Sequence, residues 1–254
     1  HFAARPGAGV LVDHAESLED GVAVVVQREE KQLVVNGRLR GEDAAVEKGI
    51  ADALLHVTAR DRAFVGGLGT GRALRALREF GRVTVGESDR VSAAVARRVF
   101  GDLPPNSTLA GAGFLETYDL IVLARETPRV ELYEQARSRL TERGVLAQRL
   151  PLRYVAGSDL AAMLRTLHAV FPKIDLYVEE GDAIAVACTN DCPPSAATLT
   201  HLFGPAQIDR LVASGGGAVA NDDNRYLDYH IPRSALNAPD SLDAELRRIA
   251  TPER

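Results

Sequence analysis

The residues that could do chemistry begin with Gly66-Gly67-Leu68-Gly69-Thr70-Gly71, four glycines between an apolar run and a helical pattern, and with Glu87, which follows 20 residues after Gly67. Backbone without side chains lets a ligand come close, and amides at the start of a helix face whatever binds there. A dinucleotide fingerprint would put another glycine three residues after Gly69, where Arg72 stands, so a pyrophosphate-binding site is disfavoured. A G-x-G-x-G loop suits a nucleoside ligand without pyrophosphate, such as S-adenosylmethionine or a relative. Glu87 ends the next strand pattern, where a carboxylate can accept both ribose hydroxyls. The bland alternative is a tight strand-to-helix turn with Glu87 as a solvated surface acid.

Other candidates read more plainly. Asp222 and Asp223 in "NDDNRYLDY" could hold a cation or an amine, but their composition suits a polar turn. Arg137, Arg139 and Arg143 read as a solvated helix face. His56 and His168 have no acid at useful sequence spacing. Cys188 and Cys192 lack a zinc pattern and read as reduced structural thiols. No Ser-His-Asp arrangement or carboxylate pair for glycoside chemistry is identifiable.

These residues must be positioned by the elements around them. "GVAVVVQREEKQLVVNGRL" (21–39) predicts a hairpin, and "EDAAVEKGIADALLHV" (42–57) a helix. Strand and helix signals then alternate. "RAFVGG" is a strand, "TGRALRALREFG" a helix ended by Gly81, "RVTVGE" a strand and "DRVSAAVARRVFG" a helix. "YDLIVLA" is a strand, "RVELYEQARSRLTERG" a helix and "GVLAQRL" a strand. "SDLAAMLRTLHAVFP" is a helix capped by Ser158 or Asp159, and "IDLYV" with "DAIAVAC" close the series as paired strands. Such alternation predicts a parallel sheet with helices on both faces.

With 254 residues, 30 Lys+Arg and 35 Asp+Glu, the chain carries a formal charge of −5, which offers no footprint for nucleic acid or an anionic membrane. No apolar run reaches the ~18 residues of a spanning helix, and no signal peptide opens the chain, so it is expected to be cytoplasmic. It opens on His1-Phe2, which fits a piece of a longer product.

With these residues assembled, the chain resembles the spermidine synthase family, the polyamine aminopropyltransferases, and within it the bacterial branch in which this domain follows a membrane-spanning segment. The likeness runs from "AVVVQREEKQLVVNGRL" through the glycine loop and "YDLIVLARETP" to "NDDNRYLDYHIPRSAL". Order, spacing and residue type agree best from Tyr133 to Ala187. The resemblance implies an α/β, Rossmann-like body of the class I S-adenosylmethionine-binding type, mostly parallel, spanning 42–254, behind a small antiparallel β domain at 1–41. It implies decarboxylated S-adenosylmethionine, S-adenosylmethionine or methylthioadenosine as ligand, no metal, a small-molecule amine as partner, and a homodimer.

Taken residue by residue, the resemblance assigns nucleoside binding to Gly66, Gly67, Gly69, Gly71 and Glu87, with Gly69 where many members carry Asp. The acid that recognises the adenine amino group falls at Ala112. The catalytic carboxylate, six residues beyond the tyrosine of "YD", falls at Ala124. Glu126, two residues on and on the same strand face, is the candidate substitute. The Tyr-His pair near the amine falls between Ala44 and Glu47, where neither type occurs, and a glutamine is replaced near Arg40, whose charge repels a polycation. The implied activity is aminopropyl transfer. The alternatives are a catalytically inactive binding or regulatory domain, or a methyltransferase with an unidentified acceptor.

Overall fold

A computed structural model describes residues 10–16, 21–27, 30–35, 38–39, 43–87, 90–101, 103–111, 113–124, 127–152, 155–179, 182–190, 202–203, 205–214 and 218–228, with 242 and 246. Four antiparallel strands open the chain: β1 (Val10–Glu16), β2 (Gly21–Gln27), β3 (Glu30–Val35) and β4 (Arg38–Leu39), paired in that order. The expected hairpin is β2–β3, with Gln27 opposite Glu30 across a two-residue connection. Helix α1 (Asp43–Leu54) follows.

The body then alternates as expected. It comprises β5 (Arg62–Gly66), α2 (Arg72–Ala76), β6 (Arg82–Gly86), α3 (Arg90–Phe100), β7 (Ser107–Ala110), β8 (Tyr118–Leu123) and α4 (Val130–Ser138). β9 (Leu140–Pro151), α5 (Gly157–His168), β10 (Ile174–Glu179), β11 (Asp182–Cys188), β12 (Leu202–Phe203) and α6 (Pro205–Ser214) complete it. The sheet order is β12-β10-β11-β9-β8-β5-β6-β7. Strands β7, β6, β5, β8 and β9 are parallel, whereas β11 is antiparallel to both β9 and β10. This is a Rossmann-like α/β architecture.

Period-two alternation splits the core between the two faces. In β8 every residue is buried: Leu120 and Val122 pack with Ile50, Leu74 and Val85 on the α1–α3 side, while Ile121 and Leu123 pack with Tyr133, Leu164 and Leu167 on the α4–α5 side. Each such side chain contributes about 1.5–3 kcal/mol on burial. On the first face α1 lies so close to β11 that a Cβ on Gly49 would sit 2.0 Å from Ile184 Cγ1. Val95 of α3 packs against Ala15 of β1, joining the two sheets.

Three boundaries differ from the sequence expectation. α2 spans only five residues, and turns fill the rest of the way to Gly81. The helix expected to run to Gly144 ends at Ser138, because Leu140 already pairs with Tyr118 and "TERG" is drawn into β9. The α5 cap is Ala156, which has no side-chain bond to give; Asp159 lies inside the first turn, fully buried.

Candidate functional site

Across the body sheet, paired residues form one row: Ala110 of β7, Gly86 of β6, Gly66 of β5, Leu123 of β8 and Gln148 of β9. One residue further along each chain stand Gly111, Glu87, Gly67, Ala124 and Arg149. The strand order turns back between β5 and β8, and ligands of open α/β sheets sit in the crevice beyond the carboxyl ends at such a switch point. The glycine loop, Glu87 and Ala124 therefore share one edge.

Glu87 is directed at the loop. Its Oε2 accepts the Leu68 amide hydrogen at 3.1 Å, its own N–H donates to Ala110 O at 3.2 Å, and the Gly67 N–H donates to Gly86 O at 2.7 Å. The side chain of Leu68 goes the other way, 3% exposed, into the core with Leu74 and Val85, so it does not fill the loop's mouth. Gly67, Gly69 and Gly71 have φ of 79°, 54° and 77°, left-handed values that explain why glycine stands at all three. The five-residue α2 supplies little helix dipole, which leaves loop amides and the carboxylate as the polar groups here.

Ala124 directly follows β8 and is half-buried, its methyl against the α1–α3 side of the core. Ala112 and Glu126 lie outside the described residues, as does Arg40. Gly113, beside Ala112, has φ 106°. Ala44 to Glu47 form the early turns of α1. That helix runs from the site's edge toward the opposite one, since Gly49 meets Ile184 and His56 reaches Tyr177 and Asp175.

Gln148, which the sequence reading passed over, is fully buried beside the end of β8. It accepts from the Tyr133 hydroxyl at 3.2 Å and donates to Leu123 O at 3.2 Å and Arg149 O at 2.8 Å. The signal was a lone amide inside the apolar run "GVLAQRL". Next to it, Arg149 grips the fully buried Asp182 through Nε and Nη2 at 2.8 and 3.0 Å. The edge beside Ala124 thus presents a bound amide and a neutralised guanidinium.

Several expectations are corrected by long-range contacts. His56 does have partners: Nε2 lies 2.6 Å from Tyr177 Oη and 3.9 Å from Asp175 Oδ2. Burial raises the Asp175 carboxyl above its ordinary range, and the attraction of His56 partly opposes this. His168 lies 3.4 Å from Asp209. Arg137 is anchored to Val170 O at 2.7 Å, and Arg143 lies in β9. Asp222 sits in a turn, as composition suggested, and pairs with Arg129 at 2.9 Å. Cys188 is disulfide-bonded, against the reading of reduced thiols; the chain's other cysteine is Cys192, four residues on. Among the described residues, no group of three or more His, Cys, Asp or Glu could hold a metal, and no helix is long and apolar enough to cross a membrane.

No family model matches the chain, and no curated protein does. Solved structures do. The spermidine synthase from Thermotoga maritima aligns at a TM-score of 0.61 and 14% identity, covering 94% of this chain and 87% of that one. A spermidine synthase in complex with the transition-state analogue AdoDATO gives 0.62 at 14% identity, covering 94% and 87%. A probable spermidine synthase from Corynebacterium glutamicum gives 0.57 at 16% identity, covering 94% of both chains. Over nearly its whole length, this chain has the fold of the spermidine synthases.

Proposed function

We propose that this chain binds a nucleoside thioether, namely S-adenosylmethionine, its decarboxylated form or methylthioadenosine, in a spermidine-synthase-like site, with aminopropyl transfer to an amine as the ancestral reaction. One observation carries the reading: the Glu87 carboxylate faces the glycine loop at the switch point. In this reading it accepts ribose hydroxyls, each charge-assisted bond being worth about 1.5–3 kcal/mol. Gly66, Gly67, Gly69 and Gly71 let the ligand approach the backbone, and Ala112 stands where an adenine-reading acid would be.

In aminopropyl transfer, the lone pair of an amine attacks the carbon beside the sulfonium. A C–N bond forms, the C–S bond breaks with its electrons to sulfur, and a neutral thioether leaves. The amine proton passes to a base. The end of β8 is the place for that base, and Ala124 has no group to take the proton; Glu126 is the nearest acid in sequence. Loss of a positioned base lowers rates about 10²- to 10⁴-fold.

Ala124 also favours a second reading, a body that retains the ligand seat and serves as a binding or regulatory domain. Calorimetry with the three thioethers tests what both readings share. Saturable heat with at least one supports the seat, and no heat with any removes it.

A further inference from the structure

On the outer side of the glycine loop, between α2 and α3, lies a cavity of about 160 Å³. Its lining includes Leu68, Leu74, Phe100 and Leu103, which are apolar, and two guanidinium-bearing residues, Arg75 and Arg97. Thr70 and Gly71 of the glycine loop line it, whereas Glu87, Gly66, Gly67 and Gly69 do not, so it adjoins the proposed nucleoside seat through Gly71 and lacks that seat's acid. Leu68 and Leu74 belong to the packed core, so the floor is rigid; Arg75 and Arg97 are exposed, which puts their charged heads at the rim. Neither guanidinium has a hydrogen-bond or ion-pair partner among the described residues.

The size limits the occupant. A closed apolar cavity of about 150 Å³ accommodates benzene, well below the space a drug-sized ligand needs; this one is similar in volume but partly open, with polar as well as apolar lining. The charge selects further. Two unpaired guanidinium groups above an apolar floor match a carboxylate on a small apolar body, since the planar fork of arginine pairs with a carboxylate in two parallel bonds. This cationic rim belongs to a chain whose net charge is −5, so the attraction is local.

From this geometry we infer that the α2–α3 cavity is a binding site for a small amphipathic carboxylate, one of benzoate size, held by Arg75 and Arg97 with its apolar body against Leu68, Leu74, Phe100 and Leu103. The inference does not depend on nucleoside binding, because its ligand is different and Gly71 is the one residue named for both sites.

The test uses benzoate as probe, with benzyl alcohol and acetate as controls for body without charge and charge without body. Binding is followed at low salt by ligand-observed and amide-resolved NMR on the full chain. Benzoate should shift amides of α2 and the end of α3, while both controls bind at least about tenfold more weakly. Arg75→Glu and Arg97→Glu, both surface changes, should each weaken benzoate by about five- to tenfold, with unfolding midpoints unchanged, the usual strength of a charge-assisted bond being reduced here by exposure. A filling change, Ala96→Leu, should abolish the shifts; if that variant does not fold, the two charge reversals decide. No benzoate shifts at 10 mM (about tenfold above a millimolar Kd), equal affinity for benzyl alcohol, or unchanged affinity in both charge reversals would each overturn the site.

Discussion

Glu87 Oε2 lies 3.1 Å from the amide nitrogen of Leu68, which ties the residue after β6 to the loop after β5. That bond fixes the acid at the crevice. It also means that a side chain 19 positions downstream holds the loop's shape. The same loop residue sends its side chain into the core, so the core and the acid are joined through one position.

The missing carboxylate can be put back. Ala124→Asp, assayed with decarboxylated S-adenosylmethionine and putrescine, should raise turnover by about 10²- to 10⁴-fold over the parent if a dormant site remains. Activity already present in the parent and lost in Glu126→Gln would instead assign the base to Glu126.

Gly49→Ala should destabilise without touching the site. The added Cβ would stand 2.0 Å from Ile184 Cγ1 and 2.9 Å from Cδ1, and overpacking of this kind costs about 1–3 kcal/mol. Calorimetric melting should fall by several degrees, at roughly 2–4 °C per kcal/mol for a chain of this size. An unchanged midpoint would mean that α1 and β11 are not in such close contact.

Gln148→Leu removes an amide from a fully buried place where it bonds to Tyr133, Leu123 and Arg149. The expected loss is about 1–3 kcal/mol of stability, read from urea unfolding. A neutral outcome would show that these bonds contribute no net stability.

Asp175→Asn tests the buried cluster through pH. The folded chain holds the Asp175 proton more tightly than the unfolded chain, whose value is near 3.8, because burial disfavours the carboxylate. The parent's stability from this group is therefore complete below 3.8 and declines as pH rises through the folded value. Urea midpoints should favour the variant at pH 7, and the difference should shrink toward pH 3. A variant less stable at pH 7 would show that the attraction to His56 outweighs desolvation.

Local signals explain how much was legible in the sequence. Apolar runs such as "YDLIVLA" and the glycine punctuation gave the alternation, and Glu87 was found by its place after a strand. What could not be read were contacts between distant positions. The partners of His56 come from β10, 121 residues away in the case of Tyr177, and Asp182 reaches Arg149 only because β11 inserts antiparallel beside β9. The early end of α4 had the same origin: "TERG" has helical composition, yet pairing of Leu140 with Tyr118 drew it into the sheet. Asp119, which served only as a landmark in "YD", accepts from the Asp61 and Arg62 amides at 3.0 and 3.1 Å and from Thr141 at 3.1 Å, a staple at the amino edge that composition does not announce.

Calorimetric titration of methylthioadenosine into the parent and into Glu87→Ala, both at neutral pH with folding checked by circular dichroism, tests the central claim most directly. Saturable binding in the parent, weakened at least about tenfold in the variant, is the predicted result. Equal affinity in the two proteins would contradict it, because the acid beside the glycine loop would then take no part in holding the ribose.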